Sequence, residues 1–150
     1  MKNKTSIYYC TASLVVLLAT SSAHADERNL QHVISNDVLL KTEFSWDGKR
    51  YTSYPVGLPE LTVVKTIIPP YTTLPWHKHP IPLAGYVLSG ALKIEKKDKK
   101  ESVFIKKGEA LAEVENEVHR GITGKEPAVL VIFYAGVKGE ALSIPYFENK

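Results

Sequence analysis

Three observations make this chain all-β, a single antiparallel barrel or sandwich. Short runs of Val, Ile, Thr, Tyr and Phe recur at intervals of about ten residues. Turn-forming Gly, Pro and Asp-Gly separate them. No stretch beyond the N-terminal region carries apolar residues at helical spacing, and heptads, internal repeats and low-complexity segments are absent.

Residues 26–37 are polar and weakly patterned and read as an irregular lead-in, with His32 a surface residue. Residues 38–46 and 50–54 alternate β-formers with polar residues around Asp47-Gly48, a two-residue hairpin signal. Pro55, Gly57 and Pro59 punctuate a loop before a strand over 61–68. The next strand, 85–90, ends in a glycine turn at Gly90. Strands over 91–95 and 102–105 flank Lys96-Lys97-Asp98-Lys99-Lys100, expected to be a solvated hairpin tip. Lys107-Gly108 turns the chain into strands at 110–114, 118–123 and 128–134, and residues 136–150 are expected to form a last strand or an arm.

The N-terminus carries Lys2 and Lys4, an apolar stretch from Ala12 to Ala19, and Ala23-His24-Ala25 ahead of Asp26-Glu27. That order predicts a signal peptide over 1–25, cleaved after Ala25, and a mature protein that is periplasmic or secreted. The apolar core is shorter than the roughly 20 residues a membrane span needs. Cys10, the only cysteine, leaves with this segment, so the mature chain has neither disulfides nor thiolate ligands. Residues 26–150, about 125 in all, suit one domain. Losing Lys2 and Lys4 takes the formal charge from +3 to +1, which gives no reason to invoke nucleic acid or an anionic membrane as partner. A small-molecule ligand or substrate is the expected partner, with homodimerisation left open.

His77 and His79 lie in Pro75-Trp76-His77-Lys78-His79-Pro80. Side chains two apart share one face of a strand but stand about 200° apart on a helix. The flanking prolines exclude a helix. With His119 on a later strand, three imidazoles can converge in a barrel mouth as a candidate metal site. Three protein ligands leave coordination positions open, the arrangement of catalytic metals. The neutral imidazoles leave the ion's charge uncompensated and favour an anionic or chelating ligand. Glu113, Glu115 and Glu117 precede His119 and share a face if the strand is regular. Any of them could replace a ligand or orient an imidazole. Trp76 and Tyr86 border the motif as candidate pocket lining, and no catalytic residue is assigned.

The pattern resembles the cupin family. Its first motif runs Gly, five residues, His-x-His, three or four residues, Glu, six residues, Gly, and here His77, His79 and Gly90 match. The second carries a Gly, a Pro-x-Gly turn, one His and an Asn, and Gly108 and His119 match. The resemblance covers roughly residues 61–134. Leu83 stands where the glutamate ligand falls, Tyr71 at the opening Gly, Val114-Glu115-Asn116 at the Pro-x-Gly turn and Thr123 at the terminal Asn. Asn116 tolerates the positive φ such a turn needs.

The resemblance implies a single antiparallel cupin-type β-barrel, the double-stranded β-helix or jelly roll. It also implies a divalent transition metal on His77, His79 and His119, with iron expected first and zinc, nickel, copper or manganese as alternatives. Without the glutamate it points to the three-histidine cupins, mostly ferrous dioxygenases acting on small chelating or sulfur-containing substrates. Two other functions stay open: a non-catalytic small-molecule binding module, and a metal-free lyase or isomerase with a histidine base.

Overall fold

Alternation between the two faces builds most of the strands in this computed structural model, which describes residues 34–98 and 101–148. The strands in order are β1 (Pro59–Ile68), β2 (His77–Lys78), β3 (Leu83–Ser89), β4 (Ala91–Lys96), β5 (Ser102–Lys106), β6 (Ala110–Ala112), β7 (His119–Ile122), β8 (Ala128–Val137) and β9 (Ile144–Pro145). All lie in one compact unit, Asn36–Lys150. The unit before it, Met1–Ser35, is described only at Ile34 and Ser35, so the signal-peptide segment and His32 fall outside the described residues. No helix occurs among the described residues.

The strands form two sheets, ordered β1-β8-β3-β6 and β5-β4-β7-β2-β9, with antiparallel pairing throughout. They enclose an aliphatic core to which both contribute: Ile68, Val87, Leu111, Ala128 and Leu130 from the first sheet, Leu92, Ile94 and Ile105 from the second. A second cluster, Ile81, Leu83 and Tyr134, packs at one end with Leu142 against it. The all-β jelly-roll expectation holds, as two facing sheets that do not close into a continuous barrel. On the outer face of the first sheet, Leu61, Val63, Ile67 and Phe133 are exposed.

Three expectations need correction. Residues 38–46 and 50–54 are not strands; the Asp47-Gly48 signal makes only a minimal hairpin with one bridge, Phe44↔Arg50. Gly48 N donates to Ser45 O, and Gly48 takes a φ of 80°. The strand expected over 110–114 stops at Ala112, because the chain leaves regular structure ahead of Asn116, whose φ is 58°. Finally, Lys96 is not at a solvated tip. It continues the inward row of Leu92 and Ile94 on β4, is 4% exposed, and its Nζ bonds Asp47 Oδ2 at 2.5 Å. Lys97 is tied to Glu148 and lies over the rings of Trp76 and Tyr146; Lys99 and Lys100 are outside the described residues.

Gly90, matched to the first motif, has φ 73°, and a Cβ there would stand 1.9 Å from the carbonyl oxygen of Pro127. The β3–β4 turn therefore demands glycine twice, for conformation and for space.

Candidate metal centre

β2 is short because prolines flank it, yet it places the histidines by register. His77 sits opposite His119 across β2 and β7, and β9 covers the other edge of β2 by pairing Pro145 with His77. His79, two residues on, keeps the same face and bridges to Glu115. All three imidazoles line one cavity, with ring centroids 4.6 to 5.1 Å apart. One ring nitrogen from each falls within 4.8 Å of the others.

Each imidazole is oriented by a backbone carbonyl. Nδ1 of His77 bonds Pro75 O at 2.8 Å, Nδ1 of His79 bonds Leu142 O at 2.6 Å, and Nδ1 of His119 bonds Glu117 O at 2.9 Å. A carbonyl only accepts, so all three Nδ1 atoms carry the proton and each Nε2 of the neutral ring keeps its lone pair. Burial pushes His79 and His119 down to about 4, against the raising effect of those carbonyl bonds, and both are neutral at pH 7. Imidazoles with one ring nitrogen each turned to a common space are what a first-row divalent ion requires, so the donor set fits a metal.

The remaining wall is aliphatic, with Ile68, Leu74, Leu92, Ile94, Leu111, Leu130 and Ile132 among its residues, around a cavity of about 80 Å³. Leu83 also lines it, so the position expected to carry glutamate presents a hydrocarbon. Among the lining side chains, the one carboxyl is that of Glu113. Its Oε2 accepts from Trp46 Nε1 at 3.0 Å and from Val114 N at 3.1 Å, and stands 3.8 Å from His119 Nε2. Burial pushes this carboxyl up to about 7, opposed by those two hydrogen bonds.

The expectation that Glu113, Glu115 and Glu117 share a face fails, because the segment is irregular and turns at Asn116. Glu113 enters the cavity, whereas Glu117 pairs with Lys49 at 3.0 Å and Lys96 at 3.9 Å, and Glu115 is absent from the cavity wall. Neither Trp76 nor Tyr86 lines the cavity: the Arg120 guanidinium covers Trp76 at 4.1 Å. Thr123, at the motif's Asn position, is buried and donates to Pro69 O at 2.6 Å while accepting from Thr72 N at 2.9 Å, tying down the loop that leads to His77. Sequence reasoning missed the roles of Leu142 and Trp46. Leu142 acts through a backbone carbonyl, which has no residue-type signature, and Trp46 reaches Glu113 across 67 positions.

The cupin domain family matches residues 64–134. Among solved structures, the chain is similar to the polyketide cyclase RemF from Streptomyces resistomycificus, at 19% identity and a TM-score of 0.51, covering 60% of this chain and 63% of that one. It is similar to the DMSP lyase DddQ from Ruegeria pomeroyi, at 17% identity and TM-score 0.51, covering 67% and 49% of the two chains. An uncharacterised double-stranded β-helix protein from Klebsiella pneumoniae has 18% identity and TM-score 0.50, covering 78% and 98%. The chain thus spans less than two thirds of the cyclase and about half of the lyase. Comparison with curated protein sequences gives no match. The histidine pair, the glycine turns and the facing sheets agree with that family match, so residues 64–134 are similar to a cupin domain in sequence pattern and in fold.

Proposed function

We propose that the protein binds one divalent transition metal through Nε2 of His77, His79 and His119 and uses it to hold and transform a small chelating molecule. The observation that carries this reading is the set of three Nδ1 to carbonyl bonds, which fixes three tautomers so that every free lone pair meets in one cavity. When bound, the ion supplies Lewis acidity and, if it is iron, redox chemistry with dioxygen. The protein's own share is to orient the imidazoles, exclude water with an aliphatic wall and limit ligand size. The cavity of about 80 Å³ is roughly half the 150 Å³ that accepts benzene, so the ligand fragment beside the ion has only a few non-hydrogen atoms. Iron with an oxygenase activity is the leading assignment, and the site is inferred to work in a periplasmic or secreted protein.

His79 and His119, held at about 4, are poor candidates for a metal-free general base at neutral pH. The lyase and cyclase activities of the structural neighbours belong to those proteins; their likeness here is in fold.

The test is metal content after reconstitution with iron, zinc, nickel, copper or manganese. Wild type is expected to take up one equivalent, and His77→Ala to lose it while its circular dichroism stays that of a β-protein. Equal, negligible metal in both proteins sinks the reading. Metal uptake with no oxygen consumption over a panel of small chelating acids transfers the assignment to a binding module.

A further inference from the structure

An antiparallel sheet with one face in water ordinarily alternates, apolar toward the core and polar outward. The first sheet does not. β8 reads Ala-Val-Leu-Val-Ile-Phe-Tyr-Ala-Gly-Val, apolar on both faces, and of the side chains that β1, β8, β3 and β6 turn outward only that of Lys65 is charged. At about 3.3 Å per residue and about 4.8 Å between strands, the outer face measures on the order of 500 Å² in projection. Val56 and Leu58, 100% and 72% exposed, extend it past one end, where Gly57 abuts Val137 and Lys138 N donates to Leu58 O. The patch thus reaches the roughly 300 to 600 Å² that is the largest on a typical monomer, and approaches the roughly 800 Å² that each partner of a stable complex buries. We propose that the outer face of the first sheet is the interface of a two-fold homodimer, an inference independent of the metal reading.

The relief of the face is self-complementary. Val63, Phe133, Ala84 and Ala112 pair in turn across the four strands, so one row runs from large side chains on β1 and β8 down to methyl groups on β3 and β6. On the β1 side Leu61, Val63 and Ile67 form a ridge, 65 to 69% exposed. On the other side Ala84, Ala112 and Ala135 floor a recess of about 480 Å³, walled by residues 40–43 and 50–54. A two-fold axis parallel to the strands sets the ridge of each copy over the recess of the other, so the same contact is made twice. Lys65 sits on β1, the outermost strand, and its chain can run past that edge to water.

Other occupants suit the face less well. After the expected cleavage the residues ahead of Ile34 are Asp26 to Val33, of which only Leu30 and Val33 are apolar, too few to cover it. A bilayer surface attracts clusters of lysine and arginine, and the face offers one lysine.

The test is sedimentation velocity on the purified protein and on three single variants: Val63→Glu on the ridge, Ala84→Phe in the recess and Phe104→Glu on the second sheet. Wild type is expected to run as a dimer at about 10 µM. Val63→Glu puts an unpaired carboxylate of each copy into the interface and Ala84→Phe fills the recess, and each is expected to raise the dissociation constant about 100-fold or more. Phe104 is as exposed as Val63, at 65%, so Phe104→Glu adds the same charge away from the interface and should leave the dimer intact. Circular dichroism and thermal melts check that the variants fold, and if Val63→Glu does not, Ala84→Phe and the milder Val63→Ser carry the test. A wild type that stays monomeric at tenfold higher concentration overturns the proposal. Its flotation with vesicles of phosphatidylethanolamine and phosphatidylglycerol would then assign the face to a bilayer, and failure to float would leave it to the chain's own N-terminal residues. A dimer that survives both Val63→Glu and Ala84→Phe, or that dissociates equally with Phe104→Glu, also overturns it.

Discussion

Tyr71 holds a left-handed backbone, φ 52°, which costs a residue with a side chain about 1 to 2 kcal/mol. The residue is 80% exposed, so little packing compensates. Tyr71→Gly should remove that strain, less the larger entropy glycine has when unfolded, for a net gain of about 0.5 to 1 kcal/mol in denaturant unfolding. A lower midpoint would show that the tyrosine is anchored by something stronger than its conformation suggests. The motif's opening glycine falls at Tyr71, so the sequence showed a mismatch in residue type while the backbone kept the conformation that glycine serves. At Gly90 residue and requirement coincide, because the Pro127 carbonyl leaves no room for a Cβ. The histidines were legible for a similar reason: imidazoles two apart between prolines admit almost one local geometry. Glu113 was legible only as one of three equivalent glutamates, since choosing among them needed the irregular backbone around Asn116.

At the scale of elements, β4 runs the inward row Leu92, Ile94, Lys96, and the last of these delivers an ammonium to Asp47 in the minimal hairpin. Both side chains are almost completely enclosed, at 2% and 3% exposure. Burial works against the Asp47 carboxylate, but the bonds from Lys96, Ser45 and the Lys49 backbone hold its pKa at about 2, below the ordinary 3.8. A carboxylate depressed in the folded state contributes stability that is complete above about pH 4 and disappears as pH falls through 2. The difference corresponds to roughly 2 kcal/mol. Asp47→Asn should therefore be at least that much less stable at pH 7, and its stability should fall less between pH 4 and pH 2 than that of wild type, as measured by urea unfolding across that range. Parallel acid limbs in the two proteins would refute the coupling. Composition pointed to a solvated lysine cluster here; strand parity, counted from Leu92, was the better guide, because a residue in phase with two core positions is carried inward whatever its charge.

For the molecule as a whole, the order of strands from β1 to β8 was readable because turn residues recur at short intervals and most strands alternate. The pairing of β9 with β2 was not, since two residues carry no periodicity. The exported state is the prediction at this scale. Edman sequencing of protein recovered from outside the cytoplasm should begin at Asp26, and an intact Met1 or Lys2 on a cytoplasmic protein would defeat it.

The carbonyl that orients His79 belongs to Leu142, 63 positions further along the chain. A ribosome or a translocation channel delivers the chain from its N-terminus, so His77, His79 and His119 all emerge before the segment that orients one of them. Until residue 142 has emerged, only two of the three imidazoles can be held by their carbonyls. If the chain is exported unfolded, the complete donor set first exists at its destination, and the ion pool there determines which metal the site acquires.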